Sequence, residues 1–409
     1  MNSETGIWSR DYSVQHTNNL DDKLNILIAI ESFFDGGAEM FAIRLANALA
    51  ETQHVFFIEL YPDRSKEKRQ LELLDKGIPL FQPLDPALYQ NAGKRPFLPL
   101  RLARKPEGSY EKNREKEITK FIKRNKITVV NSHSWDSDVY FAQLKKDIKF
   151  RLVSSFHGHY EFLGGMREGF AAATRSALAA TDTVIYTSPK HQQTLDEYDF
   201  PKERRKKIFY GVSMALSEQT TRYEKGGRLH LVLAARGIKE KGWKETIEAV
   251  LMLKEKYPGI LQLTLAGEGD YLNELKQQYH DPVIIFLGYV ENVRAVVNEA
   301  HIGLLPSFYI AESLPNTVIE YLFCGKPVIT TNIGAIREMI GHGSELAGTC
   351  IELQNGKPDA ALIADAIEKY ICCPELVEQD SAIALKAAKK FTMQTCIENY
   401  LEVFSTSAA

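Results

Sequence analysis

Three short, largely apolar segments in this chain, the first two of them near-continuous apolar runs, each lead into a glycine-bearing loop and then into a helical stripe, an order that few folds accommodate. They are residues 24–30 (LNILIAI), 229–235 (LHLVLAA) and 261–266 (LQLTLA). A continuous apolar run such as the first two suits a strand covered on both sides, as in a parallel sheet flanked by helices. After the first run Gly36 and Gly37 permit a tight turn, and Met40, Phe41, Ile43, Leu45, Ala48 and Leu49 then recur at helical spacing. Further strand signals fall at 54–60, 77–83, 127–138, 149–162, 183–195, 207–213, 283–290 and 348–353. The polar stretch 214–228, with Gly226 and Gly227, reads as a linker between units 24–213 and 229–388. Two such units predict an α/β protein of two doubly wound, Rossmann-like domains facing a central cleft, with functional loops past the strand ends.

Composition excludes more than it selects. A formal net charge of -3 makes no case for nucleic acid, so any anion site must be local. The five cysteines are odd in number and irregular in spacing, which argues against a disulfide framework and for a reducing cytosol. Neither CxxC nor a Cys/His pair at zinc spacing occurs, so no structural metal is expected. No run of eighteen apolar residues suggests a spanning helix, and residues 1–23 read as a polar lead-in without signal-peptide order. Segment 101–126 carries ten Lys or Arg against four Glu. It fits a solvated helix; its sharper reading is a basic face toward anionic lipid headgroups, each cation contributing about 1 kcal/mol near the surface. Residues 202–207 (KERRKK) would extend that face, and the expected location is the cytoplasm, with the inner membrane surface as a candidate partner.

The densest text lies between Pro306 and Met339. Glu312 and Glu320 stand eight positions apart around a polar turn, Ser313-Leu314-Pro315-Asn316. Pro315 suits a helix start and Gly325 its stop, which gives loop, short helix, strand. The free N–H groups of such a helix accept an anion, and carboxylates accept sugar or ribose hydroxyls. Together these would describe a nucleotide-sugar site, although the two acids by themselves fit a surface helix with scattered carboxylates equally well.

With 283–307 (VIIFLGYVENVRAVVNEAHIGLLPS) and 324–340 (CGKPVITTNIGAIREMI), this stretch resembles the donor-binding half of the retaining glycosyltransferases of family 4, which have the GT-B fold. The resemblance is strong over 229–340 and thinner over the rest of 24–404. It implies that the C-terminal domain binds the activated sugar, that the N-terminal domain binds the acceptor, and that a final helix within 389–409 crosses back. Residue by residue it implies that Gly36, Gly37 and Glu39 face the donor and that Glu312 holds sugar hydroxyls and Glu320 the ribose. Backbone around Gly288 to Val290 would line the base pocket, and the N–H groups around Ser313, Leu314, Pro315 and Asn316 would meet the departing diphosphate.

Arg236 and Lys241 follow a buried strand on one glycine-bearing loop, where a guanidinium and an ammonium can neutralise a pyrophosphate without a metal. The resemblance assigns them that role. His133, Trp135, Asp136, His157, His159 and Tyr160 lie past the ends of two predicted strands, where an open α/β sheet places its crevice. His157 matches the histidine that contacts the donor sugar near its reacting carbon, with His159 as the alternative two residues on; His133, Trp135, Asp136, His159 and Tyr160 are acceptor-side candidates. One departure is Tyr210, which stands where the family usually has Asn. Asp136-Ser137-Asp138 fits a DxD metal motif, but nothing around it resembles the fold that uses one, so no metal and no cofactor are expected.

The resulting expectation is a hexosyltransferase that takes a nucleotide-diphosphate sugar, UDP before GDP, to a glycan or lipid-linked saccharide in surface polysaccharide biosynthesis, with retention. Two alternatives share the site: a nucleotide-sugar epimerase on the same fold, and a non-catalytic protein that binds nucleotide sugar or glycan.

Overall fold

The computed structural model describes residues 23–34, 37–64, 69–83, 108–157, 169–310, 312 and 314–406. Gly36, Ser313, His159 and Tyr160, with 101–107 of the basic segment, lie outside the described residues.

Among the described residues, seven parallel strands form the first sheet: β1 (Asn25–Ile30), β2 (His54–Glu59), β3 (Leu80–Phe81), β4 (Val129–Ser132), β5 (Arg151–Ser155), β6 (Thr183–Tyr186) and β7 (Arg205–Lys207). Their spatial order is β3-β2-β1-β4-β5-β6-β7. The second sheet contains β8 (Leu229–Ala234), β9 (Leu261–Ala266), β10 (Ile284–Gly288), β11 (Ile302–Leu305) and β12 (Val328–Thr331). A small antiparallel pair follows, β13 (Gly341–His342) with β14 (Glu345–Leu346), and then the second sheet's last strand, β15 (Gly348–Ile351). The second sheet runs β10-β9-β8-β11-β12-β15, all parallel. Strands β1, β4, β8 and β11 are buried almost throughout, as central strands covered on both faces are.

In both sheets the strand order reverses direction once, between β1 and β4 and between β8 and β11. A crevice opens at such a switch point, beyond the carboxyl ends of the strands. The loops after β1 and β4 and those after β8 and β11 are therefore the ones positioned to build a site.

The connection between domains departs from expectation in two places. A strand was expected at 207–213, but β7 ends at Lys207, and Val212 instead makes an isolated bridge to Thr392. Ile208 makes the last backbone contact with the first sheet, its N–H donating to the Tyr186 carbonyl (3.1 Å) as its side chain enters the first core, and Val212 packs into the second. Nor is 214–228 a free linker. Thr221 N–H donates to Ser381 Oγ (2.7 Å), Arg222 pairs with Glu378 (2.9 Å), and Tyr223 is buried in the second core.

Helix Met393–Ser405 packs Met393, Cys396, Tyr400, Val403 and Phe404 into the first domain's core beside Ile26, Phe41 and Leu45. Gly211 allows this close approach, since a Cβ there would lie 2.6 Å from Cys396 Cβ and 2.8 Å from Met393 Cα. The basic segment forms helix Gly108–Arg124. Arg114 is buried with its guanidinium 4.4 Å from the Tyr61 ring centroid, while Lys112, Lys116, Lys120, Lys123 and Arg124 are exposed. All five cysteines are free.

Candidate active site

The loop after β8 and the loop after β11 are locked together by close backbone packing. Gly242 adopts φ +78, and a Cβ there would lie 2.2 Å from the Pro306 carbonyl oxygen. Phe308 N–H donates to the Glu240 carbonyl (2.8 Å), and Ser307 Oγ–H is 3.1 Å from the same oxygen. The indole of Trp243 donates to the Arg236 carbonyl (3.0 Å), which anchors the start of the loop. Only glycine serves at position 242, since a side chain there would meet both strain and backbone.

This packing brings Lys241 to Glu312. Lys241 Nζ stands 2.5 Å from Glu312 Oε2, and Ser307 Oγ lies 2.8 Å from that same oxygen, with all three residues buried. Glu312 Oε1 has no partner among the described residues. Tyr309 places its ring under both cations, 5.2 Å from Lys241 Nζ and 5.6 Å from Arg236 Cζ. Arg236 itself is exposed and makes no ion pair within 4 Å among the described residues.

The helix expected near Pro315 is Asn316–Phe323, with Pro315 as its cap residue and no side-chain cap bond. Its leading N–H groups therefore point past Pro315 without a side-chain partner, as an anion site requires. Thr317 Oγ–H is tied to the Ala234 carbonyl at the end of β8 (2.9 Å), which fixes the helix start against the strand. Glu320 follows one turn on, half-buried; burial raises its carboxyl above the usual range, and the charge of Arg44 opposes that.

A cavity of about 560 Å³ separates the domains here. Gly37, Ala38, Glu39 and Arg44 of the first domain border it, facing Arg236, Lys241, Tyr309, Glu312 and residues 314–317 of the second. A second cavity of about 260 Å³ shares Arg44, Val212 and Asn316 with it and reaches Glu320. A Cβ on Gly37 would meet no protein atom within 4 Å, so the backbone there faces open cleft.

His157 also borders the large cavity, and its ring is fully engaged. Asn131 donates its amide N–H to the Val153 carbonyl (3.0 Å), so its Oδ1 must accept from His133 Nε2 (2.7 Å). With its proton on Nε2, a neutral His133 accepts at Nδ1 from His157 Nε2 (2.7 Å), and His157 Nδ1 then accepts from Tyr210 Oη (2.5 Å). The direction of the whole chain follows from one main-chain carbonyl that can only accept. Burial keeps both imidazoles neutral, holding His133 down to about 3 and His157 well below its usual value. His157 thus borders the cavity, where contact with the sugar is expected, with both ring nitrogens already hydrogen-bonded.

The other acceptor-side candidates are dispersed. His133 lies behind His157, away from the cavity. Trp135 stacks on Phe170 (4.8 Å) and donates to Thr174 Oγ1 (2.9 Å). Asp136 sits 3.7 Å from Arg64 and close to Glu31, whose carboxyl is raised first by burial and then by the neighbouring Asp136 charge. Among the described residues, no group of three or more His, Cys, Asp or Glu could hold a metal ion. Val290 borders neither cavity: it follows the edge strand β10, past Gly288 at φ +74.

Sequence reasoning missed Arg44, Ser307 and Tyr309, and it treated Tyr210 only as a departure. Arg44 carried a usable signal, since it lies on the exposed side of the helical stripe that begins at the glycine loop.

Two family models match the chain: Glycosyltransferase Family 4 over residues 35–215 and Glycosyl transferases group 1 over residues 228–372. A glycogen synthase of Mycobacterium tuberculosis is 25% identical over 53% of this chain and 54% of its own length. The amylovoran biosynthesis glycosyltransferase AmsK of Erwinia amylovora is 28% identical over 32% of this chain and 37% of its own. The chain thus spans about 40 to 60% of the length of the curated relatives it matches. The crystal structure of Anabaena HepE in complex with UDP superposes with a TM-score of 0.70 at 17% identity, covering 93% of this chain and all of that one, which shows a shared fold. With both halves matched by the two models and the paired parallel sheets in place, the chain belongs to the group 1, family 4 glycosyltransferases and has their GT-B fold.

Proposed function

We propose that this chain transfers a sugar from a nucleotide diphosphate, UDP by preference, to a saccharide or lipid-linked saccharide acceptor in polysaccharide biosynthesis. The reaction proceeds with retention and without a metal ion. The observation that carries this reading is the interdomain cleft itself, where an exposed Arg236, an uncapped helix start at Asn316 and a carboxylate with one free oxygen converge. Structures of Anabaena HepE with UDP and with UDP-glucose support UDP as the donor nucleotide, and the naming of AmsK for amylovoran biosynthesis supports a polysaccharide setting.

Departure of the diphosphate is the step that develops charge. Arg236 and the N–H groups at the start of helix Asn316–Phe323 stabilise it, and donors fixed in advance at developing charge are worth about 3 to 4 kcal/mol each. Glu312 Oε2 is committed to Lys241 and Ser307, so Oε1 is the oxygen left for sugar hydroxyls. Glu320 takes the ribose. A carboxylate so bound is a poor nucleophile, and His157 with both nitrogens engaged is no base. The acceptor hydroxyl therefore attacks from the leaving-group side, and trapping a covalent glycosyl-enzyme would overturn this.

The test is calorimetric titration of UDP and of GDP in EDTA, with Arg236→Ala alongside. One nucleotide binds without metal, and the substitution weakens it. If neither binds, or a divalent ion is required, the metal-free assignment fails. Turnover of the donor sugar into its epimer, with no acceptor added, would replace transfer by epimerisation.

A further inference from the structure

We propose that Arg44, on the first-domain helix Gly37–Ala50, is the second cation for the donor diphosphate, so that one nucleotide diphosphate is gripped from both domains. The inference rests on the donor-site reading above and changes which residues perform it. A diphosphate brings more than one negative charge, and the resemblance supplies two cations for it from the second domain, Arg236 and Lys241. The structure leaves only one of them free. Lys241 is buried and bound to Glu312 at 2.5 Å, so the pair presents almost no net charge to a ligand. Lys241 keeps further N–H donors, but its charge is already balanced by Glu312, so at the diphosphate it adds a hydrogen bond rather than net positive charge.

Arg44 meets the shortfall. It is exposed, it makes no ion pair within 4 Å among the described residues, and it borders both the large cavity and its smaller extension. Asn316, at the uncapped helix start, borders the same two spaces. Arg44 also acts on Glu320, where its charge opposes the effect of burial, so its field crosses from the first domain to the second. A guanidinium suits this position because its fork can hold two phosphate oxygens at once. The helix carrying it turns Phe41 and Leu45 into the first core on either side, which fixes the direction in which Arg44 projects.

The consequence is a donor that ties the domains together: Arg236 and the Asn316 helix hold the diphosphate from one side and Arg44 from the other. The test titrates UDP calorimetrically into wild type, Arg44→Ala, Arg44→Lys and Arg236→Ala, with uridine binding followed by ligand-observed NMR. Arg44→Ala is expected to weaken UDP about tenfold, to leave uridine unchanged, and to be partly rescued by Arg44→Lys. Arg44 is exposed, so the thermal midpoint of each Arg44 variant should match wild type. Wild-type affinity for UDP in Arg44→Ala, with loss in Arg236→Ala, would overturn the inference and leave the donor site standing. Equal loss of uridine and UDP would also overturn it, by making Arg44 a partner of Glu320 at the ribose. A wild type that binds neither UDP nor GDP overturns the donor-site reading, and this inference with it.

Discussion

Lys241 Nζ and Glu312 Oε2 stand 2.5 Å apart, with both side chains less than one-tenth exposed. A lysine that resemblance assigns to a diphosphate is thus held by the carboxylate that resemblance assigns to the sugar. The contact exists because Gly242 lets the loop after β8 lie flat on Pro306, which sets Lys241 against the loop after β11. Its chemical effect is to orient Glu312 and to mute Lys241.

Lys241→Ala should therefore act on stability as well as on donor binding. Removing one member of a buried pair leaves the other uncompensated, at a cost of about 3 to 5 kcal/mol. Urea unfolding measures this. The double variant Lys241→Met with Glu312→Gln should regain most of the lost stability while turnover stays low. An unchanged midpoint in Lys241→Ala would show that the pair does not stabilise the fold.

The coupled histidines predict how stability responds to acid. His133 is held down to about 3 and His157 well below its usual value, so both stay neutral in the folded chain where the unfolded chain becomes protonated. Their contribution is fully present above about pH 6.5 and is lost as pH falls toward 3, by up to about 1.4 kcal/mol per pH unit for each histidine. Urea midpoints between neutral and mildly acid pH should fall accordingly, and less steeply in His133→Asn. Turnover should show no acid limb from His157 near neutral pH; one that disappears in a His157 variant would mean that the ring is wet.

Gly37→Val tests whether the glycine loop serves the ligand or the fold. No protein atom lies within 4 Å of a Cβ at that position. Thermal stability should hold, while donor affinity should drop by about tenfold or more, because the side chain occupies the space the donor needs. Unchanged affinity would move the donor away from this loop.

Membrane contact is read most directly on the basic helix. Lys120, Lys123 and Arg124 are exposed on helix Gly108–Arg124, and among the described residues no helix is long and apolar enough to cross a membrane. Reversing all three to Glu should reduce sedimentation with anionic vesicles, at about 1 kcal/mol per cation near the surface. Equal sedimentation of variant and wild type would remove this helix from any membrane face. Arg114 is excluded from such a face because it is buried between Tyr61 and Tyr140.

Most strands of both sheets were legible before any coordinates, but β11 (Ile302–Leu305) was not among those expected. Residues 24–30 and 229–235 contain β1 and β8 because a near-continuous apolar run in a chain of this length has nowhere to go but a covered strand, and 261–266 contains β9, where Leu261, Leu263 and Leu265 alternate with less buried neighbours. The helix after Pro315 was legible for a similarly local reason, since the ring fixes the backbone at a helix start and Gly325 ends it at φ +63. The hairpin β13–β14 was not seen, because each of its strands is two residues long and carries no periodicity.

The site divides along the same line. Sequence placed Arg236, Lys241 and Glu312 on loops past strand ends and Glu320 on the helix that follows, since strand ends and motif spacing are local properties. It could not say which charge meets which. Whether Lys241 faces a ligand or Glu312, and whether His157 offers a nitrogen or spends both, depends on partners 71, 24 and 53 positions away in the chain. Arg44 reaches the cleft only because two separately folded sheets are docked by the last helix. Local pattern sets where the backbone turns, while pairing of charges and protons is set by distance in space, which only the assembled domains define.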